Sequence, residues 1–188
     1  MTVDEAVLSR VDSYLSLQRD EHGWPGLAAA LVADGEVAWS AGYGTTGPDR
    51  RDVTPQTPFL LASVSKSLTA VAVMRLVEAG TVSLDDPVTD HLPEPAPRGD
   101  EVTLGDLMVH RSGLGEALGV EVMATDPNAP LDDNIRRIDT ALRDDAGFAY
   151  SNANYDALAL VVERATGRPF ADVLDAEVFD PLAMATAT

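Results

Sequence analysis

Ser63-Val64-Ser65-Lys66 opens the stretch of this chain with the clearest helical pattern. From Ser63 to Ala79, Val64, Leu68, Val71 and the Leu76-Val77 pair recur at helical spacing, and Gly80 supplies a C-terminal stop. A serine and a lysine three residues apart on a helix share one face, with Cβ atoms roughly 5–6 Å apart. Ser63 falls at the helix start, where N–H groups without helical partners and the helix dipole favour developing negative charge. A lysine with a lowered pKa, held beside a serine hydroxyl, can take its proton. Burial against Leu60, Leu61 and Leu68 is expected to push the amine toward its neutral form. With ten serines in 188 residues, this spacing would arise by chance about one time in nineteen. The weight therefore rests on the amine. Lys66 is the only lysine, and the other twelve basic residues are arginines, which cannot usefully give up a proton and so cannot replace a base.

Working outward, Tyr150-Ser151-Asn152 stands directly before an apolar run that predicts a helix over Asn152 to Thr166, ending at Gly167. A tyrosine hydroxyl can shuttle a proton when a nearby cation favours its ionised form, and an asparagine amide can hold a substrate carbonyl. Taken alone, the triplet is explained by Asn152 or Ser151 capping the helix with Tyr150 packed below. Taken with Ser63 and Lys66, the catalytic reading is the stronger.

The remaining pattern is a hairpin followed by helices and loops. Val3 to Arg19 carries Val7, Val11 and Tyr14-Leu15 on one helical face, and Gly23, Pro25 and Gly26 end it. Leu27 to Ala33 and Glu36 to Ala41 are short apolar runs joined by Asp34-Gly35, a strong hairpin signal because both turn residues tolerate positive φ. Thr45 to Pro58 reads as a loop and Leu84 to Pro97 as irregular. Thr103 to His110 predicts a short helix with Thr103 and Asp106 in capping-box spacing. Leu131 to Arg143 predicts another, and Pro169 to Val178 a last one with proline at its first position.

Composition excludes several classes. The chain carries 31 acidic and 13 basic residues, a net charge of -18. It repels phosphate backbones and anionic membranes, so neither nucleic acid nor membrane is an expected partner. The absence of cysteine removes disulfides, thiolate metal sites and cysteine nucleophiles. No apolar run approaches the ~20 residues of a membrane span. The N-terminus, Met1-Thr2-Val3-Asp4-Glu5, has no basic segment leading into an apolar core, which predicts a cytoplasmic protein. Few lysines among many carboxylates suit either adaptation to concentrated salt or a coding bias toward alanine, arginine and aspartate.

Gly42-Tyr43-Gly44-Thr45-Thr46-Gly47 spells G-x-G-x-x-G after a predicted strand. A dinucleotide fold needs those glycines to open a helix. Here Pro48-Asp49-Arg50-Arg51 follows, so the motif is read as a glycine-rich exit from the hairpin. His22, His91 and His110 form no H-E-x-x-H, there is no G-x-S-x-G elbow, and metal ligands are not clustered.

These motifs together resemble the serine β-lactamase and penicillin-binding-protein superfamily, above all its class C β-lactamases and the related esterases and D-Ala-D-Ala carboxypeptidases. The resemblance runs from about Trp24 to Met184. It rests on Phe59 to Lys66, Leu84-Asp85-Asp86-Pro87-Val88, and Thr103 to Leu114 with His110-Arg111-Ser112-Gly113-Leu114. It continues through Phe148-Ala149-Tyr150-Ser151-Asn152 to Pro181-Leu182-Ala183-Met184. It implies an α+β, β-lactamase/transpeptidase-like fold over 1–188 as a single domain. It implies Ser63 as the nucleophile of an acyl-enzyme, Lys66 and Tyr150 as the proton-transfer groups, and Asn152 as the substrate-binding amide. His110, Ser112 and Gly113 look like a framework loop, and no metal or organic cofactor is expected.

Two departures are mild: Arg111 stands where the family usually has threonine, and Ala146-Gly147 where it has Pro-Gly. A larger one is that members normally continue for well over a hundred residues, supplying the rest of the central sheet and a Lys-Thr-Gly or His-x-Gly motif. The fold is therefore expected to be incomplete: an N-terminal hairpin and a helical region without the C-terminal strands. Loss of one oxyanion donor costs about 2.7–4 kcal/mol, so a truncated or split hydrolase of impaired activity is expected. An exposed edge over Leu27 to Ala33 invites pairing with another chain, in a homodimer or with a complementing C-terminal chain. The competing function is a non-catalytic binding or assembly module. Ester, peptide and lactam substrates stay open, with an esterase-like hydrolase preferred.

Overall fold

Asp34 and Gly35 both take positive φ, 52° and 80°, and turn the chain back between strand β1 (Gly26–Ala33) and strand β2 (Glu36–Gly44). The antiparallel register pairs Ala33 with Glu36 and Val32 with Val37, then slips so that Leu31 faces Trp39. Ala38 is thus the extra residue of a bulge, which sharpens the twist of the ribbon. The computed structural model describes residues 3–47, 49–92, 102–114, 147–184 and 186–187, and the chain forms two compact units, residues 1–60 and 61–188.

In the first unit, helix α1 (Glu5–His22) begins where the Asp4 carboxylate accepts the Ala6 N–H at 2.7 Å, and it ends at Gly23, whose φ is 66°. The Tyr43 hydroxyl donates to Asp12 Oδ1 at 2.7 Å, which ties β2 to α1. Burial first, and the Asp12 carboxylate second, push the Tyr43 phenol up to about 12. The apolar side of α1 is not deeply covered: the helix has no buried residue, and Val7, Tyr14 and Leu17 are exposed. Among the described residues no helix opens at the G-x-G-x-x-G stretch. A Cβ on Gly42 would lie 2.2 Å from the Val53 carbonyl oxygen, and one on Gly44 2.2 Å from that of Pro25. These glycines let a strand and a loop approach each other, through Thr45 N–H to Pro25 C=O at 2.8 Å and Val53 N–H to Gly44 C=O at 3.0 Å. Among the described residues β1 and β2 pair only with each other, the condition that the expected edge pairing needs.

The second unit is helical. A 3-10 turn (Ala62–Val64) runs into α2 (Ser65–Glu78), followed by α3 (Val88–His91), α4 (Leu104–Met108), α5 (Ala153–Thr166) and α6 (Phe170–Leu174), which passes into a π-helical turn (Asp175–Phe179). Helix α5 is apolar nearly all round and is accordingly the central one. It buries Ala153, Asn154, Ala157, Leu158, Ala159, Leu160, Val161 and Val162. Against it lie the inner face of α2, α4 and Val173 from α6, and Val178 from the last turn joins the same core.

The expected face of α2 is met in part: Leu76 is buried and Leu68 and Val77 pack against the core. Thr69, Ala72, Val73 and Leu76 are buried, whereas Val64 and Val71 are exposed along with Met74. The helix carries apolar residues on two sides, and packing on α5 selects the stripe of smaller residues that admits a close approach. Other differences are local. The stretch expected to be irregular contains α3, and Pro169 sits one residue before α6 rather than at its first position. The helix expected over Leu131 to Arg143 lies outside the described residues.

Helix α4 has the expected capping box: Thr103 Oγ1 accepts the Asp106 N–H at 3.1 Å, and Asp106 Oδ2 accepts the Thr103 N–H at 3.2 Å. Thr103→Ala should cost about 1 kcal/mol, a fall in Tm of roughly 2–4 °C for a chain of this size. Thermal melting by circular dichroism checks this, and an unchanged Tm would mean that the box contributes nothing. Among the described residues no helix is long and apolar enough to cross a membrane.

Candidate active site

Ser63 sits inside the 3-10 turn, two residues before the first residue of α2, rather than in the α-helix itself. The first hydrogen bond of the turn runs from Val64 N–H to Leu61 C=O at 3.0 Å. The Ser63 N–H precedes it, at a position where N–H groups have no helical acceptor. Directly before Ser63, Ala62 takes φ 46°, a left-handed conformation that costs a residue with a Cβ roughly 1–2 kcal/mol. Strain of this kind is held only where the surroundings fix it.

The start of α2 and the start of α5 meet at this turn. Ser63 Oγ lies 2.8 Å from Tyr150 OH and 3.4 Å from Lys66 Nζ. Lys66 Nζ donates to Asn152 Oδ1 at 2.7 Å. All four residues singled out in the sequence are therefore brought into one cluster, although 86 positions separate Lys66 from Asn152 and 87 separate Ser63 from Tyr150. The capping explanation for Asn152 does not hold, because its side chain makes no capping bond to α5.

The surroundings of Lys66 differ from the expected apolar pocket. Leu60 is fully exposed at 100% and Leu61 is 44% exposed. Lys66 is half-buried beside aromatic rings, with Nζ 5.1 Å from the Tyr150 ring centroid and 5.7 Å from that of Tyr155. Ring faces attract a cation, so aromatic contacts stand where leucine contacts were expected.

Behind Tyr150 lies the loop His110-Arg111-Ser112-Gly113-Leu114, of which all but Arg111 are buried. The His110 carbonyl accepts the Ala149 N–H at 2.9 Å. Its Nδ1 accepts the Ser151 N–H at 3.3 Å and Asn154 Nδ2 at 3.0 Å. Asn154 Oδ1 in turn accepts from Ser112 Oγ, which itself accepts the Leu114 N–H at 3.1 Å. The imidazole centroid stands 4.6 Å from that of Tyr150 and 5.4 Å from that of Tyr155. Burial first, and the Lys66 charge second, hold the His110 pKa below 6.5, in keeping with an Nδ1 that accepts. Burial raises the Tyr155 phenol, with a further contribution from Tyr150. Burial also raises the Asp156 carboxyl, and Lys66 opposes that shift.

Sequence reasoning missed Tyr155 and Asn154. Tyr155 presents its ring to Lys66 and donates its hydroxyl to the Met108 carbonyl at 3.0 Å. Asn154 carried one signal: it is a polar residue on the side of α5 that the core covers.

The family profile described as Beta-lactamase matches residues 11–188. Esterase EstB of Burkholderia gladioli is 37% identical over 204 residues, covering 97% of this chain and 52% of the esterase. The octameric penicillin-binding protein homologue from Pyrococcus abyssi superposes with a TM-score of 0.81 at 28% identity, over 94% of this chain and 43% of that one. D-amino acid amidase from Ochrobactrum anthropi SV3, solved with L-phenylalanine amide, gives a TM-score of 0.76 at 28% identity, over 90% of this chain and 50% of the amidase. The chain thus spans about half the length of the first of these, a curated relative, and half or less of the two solved structures.

Proposed function

The chain belongs to the β-lactamase family and has its β-lactamase/transpeptidase-like fold, and from that premise we propose that it is a serine hydrolase that acylates Ser63. The observation that carries this reading is the 2.8 Å separation of Ser63 Oγ and Tyr150 OH. Proton transfer needs heavy atoms about 2.6–3.2 Å apart. The phenol meets that requirement, and Lys66 Nζ, hydrogen-bonded to the same oxygen at 3.4 Å, is close behind it. Tyr150 is therefore the group nearest the nucleophile's proton, and Lys66 shares the transfer with it.

In the acylation step Ser63 Oγ attacks the substrate carbonyl carbon while its proton passes to Tyr150 oxygen. The Ser63 N–H faces the developing oxyanion. As the tetrahedral intermediate collapses, the bond to the leaving group breaks and Tyr150 returns the proton to the departing oxygen or nitrogen. Water then hydrolyses the ester at Ser63 by the same proton path in reverse, releasing the acid. Asn152 Oδ1 is engaged by Lys66, so its amide N–H groups are the end that meets a substrate carbonyl.

Esters, amides and lactams share this chemistry, and an ester is the preferred substrate, a choice that the likeness to an esterase supports. The convergence of hydroxyl, phenol and amine weighs against a non-catalytic binding module. The test is to mix the 188-residue chain with p-nitrophenyl acetate, an amino acid amide and a fluorescent penicillin, each followed by intact mass measurement. An acyl adduct that maps to Ser63 and is absent from Ser63→Ala is expected with the ester. No adduct with any of the three would overturn the proposal.

A further inference from the structure

We propose that His110 is the positioning residue of Tyr150: it fixes the phenol against Ser63 by holding the backbone on both sides of it and stacking on its ring. This rests on the hydrolase reading of the site and goes beyond the framework role that the family resemblance implies. One residue supplies three restraints. Its carbonyl takes the N–H of Ala149, just before Tyr150, at 2.9 Å. Its Nδ1 takes the N–H of Ser151, just after Tyr150, at 3.3 Å. Its ring lies 4.6 Å from the Tyr150 ring, tilted by 34°. Tyr150 belongs to no helix or strand, so regular secondary structure does not determine where the phenol points.

Two features make these restraints specific to histidine. Nδ1 must carry a lone pair to accept both Ser151 N–H and Asn154 Nδ2, so the ring proton belongs on Nε2. The chain Asn154, Ser112 and Leu114 N–H then locks the ring plane. His110 also holds φ at 57°, where a side chain costs roughly 1–2 kcal/mol. Glycine would relieve that strain but would lose the ring and its acceptor.

The test uses the full 188-residue chain carrying 13C-labelled tyrosine. The chain has four tyrosines, at positions 14, 43, 150 and 155, and the Tyr150 signal is assigned by its loss in Tyr150→Phe. His110→Phe keeps a ring but removes the acceptor. His110→Asn tolerates positive φ and returns an oxygen to the place of Nδ1. The Tyr150 signal should move in His110→Phe and stay near its original position in His110→Asn, while the helical circular dichroism of each variant serves as the folding reference. Misplacement of a reacting group by about 1 Å costs up to roughly 10²-fold. Acylation of Ser63 should therefore fall about 10–10²-fold in kcat with a smaller change in KM for His110→Phe. In a Tyr150→Phe background the same substitution should cost nothing further.

A Tyr150 signal that does not move in folded His110→Phe would overturn the proposal, as would an equal rate loss in both backgrounds. If His110→Phe does not fold, His110→Asn decides: a loss as deep as that of His110→Ala overturns it. Absence of acylation in the unaltered chain would sink the hydrolase reading alone, since the tyrosine signal reports on His110 without any turnover.

Discussion

Replacing Lys66 with arginine should slow acylation of Ser63 by roughly 10²–10⁴-fold, the usual worth of a positioned proton-transfer group, with the fold unchanged. Charge is conserved by this substitution, so the loss measures what only an amine provides. Lys66 Nζ is a compact charge that touches Asn152 Oδ1 at 2.7 Å and stands 3.4 Å from Ser63 Oγ, with the Tyr150 and Tyr155 rings beside it. A guanidinium is a rigid planar fork that cannot occupy this point without displacing the phenol or the amide. Lys66→Met is the companion variant, because it removes the charge and keeps the stem. Both should lose acylation, measured by the growth of the adduct with time. If Lys66→Arg reacts as fast as the unaltered chain while Lys66→Met does not, charge alone suffices and the amine has no special role. If both react normally, Lys66 takes no part in the chemistry.

The parts of this structure that were readable in the sequence are those set by neighbours along the chain. Asp34-Gly35 made the hairpin, since two consecutive residues that tolerate positive φ close such a turn. Gly80 and Gly167, at φ 69° and 67°, marked the ends of α2 and α5, and Thr103 with Asp106 marked the start of α4. Ser63 and Lys66 were readable as a pair because one helical turn brings them together. The buried face of α2 was readable only in part: Leu68, Leu76 and Val77 were, but Val71 is as apolar as Ala72 and Val73 until α5 chooses between them. The surroundings of Lys66 were misjudged for a related reason. Nearness in sequence suggested leucines, but the side chains that reach the amine come from the start of α5. His110 was noticed as part of a motif, yet its contacts with Ala149 and Ser151 depend on a tertiary approach that no spacing expresses.

Tyr150→Phe should bring the other large loss, again roughly 10²–10⁴-fold in kcat for acylation, and it discriminates between two bases. The substitution removes one oxygen and keeps the ring that stacks on His110 and lies beside Lys66. Substrate binding should change little, so KM moves far less than kcat. What remains near Ser63 Oγ is Lys66 Nζ at 3.4 Å, against 2.8 Å for the lost phenol. If the phenol is the base, any rise of acylation rate with pH that tracks phenol ionisation disappears in the variant. Adding Lys66→Arg should then cost much less than it does alone, because groups that act as a unit lose their effect together. If the Phe variant acylates Ser63 at the original rate, the amine takes the serine proton itself across that gap, and the phenol is only a wall of the site. If instead the two losses multiply in the double variant, phenol and amine serve separate steps.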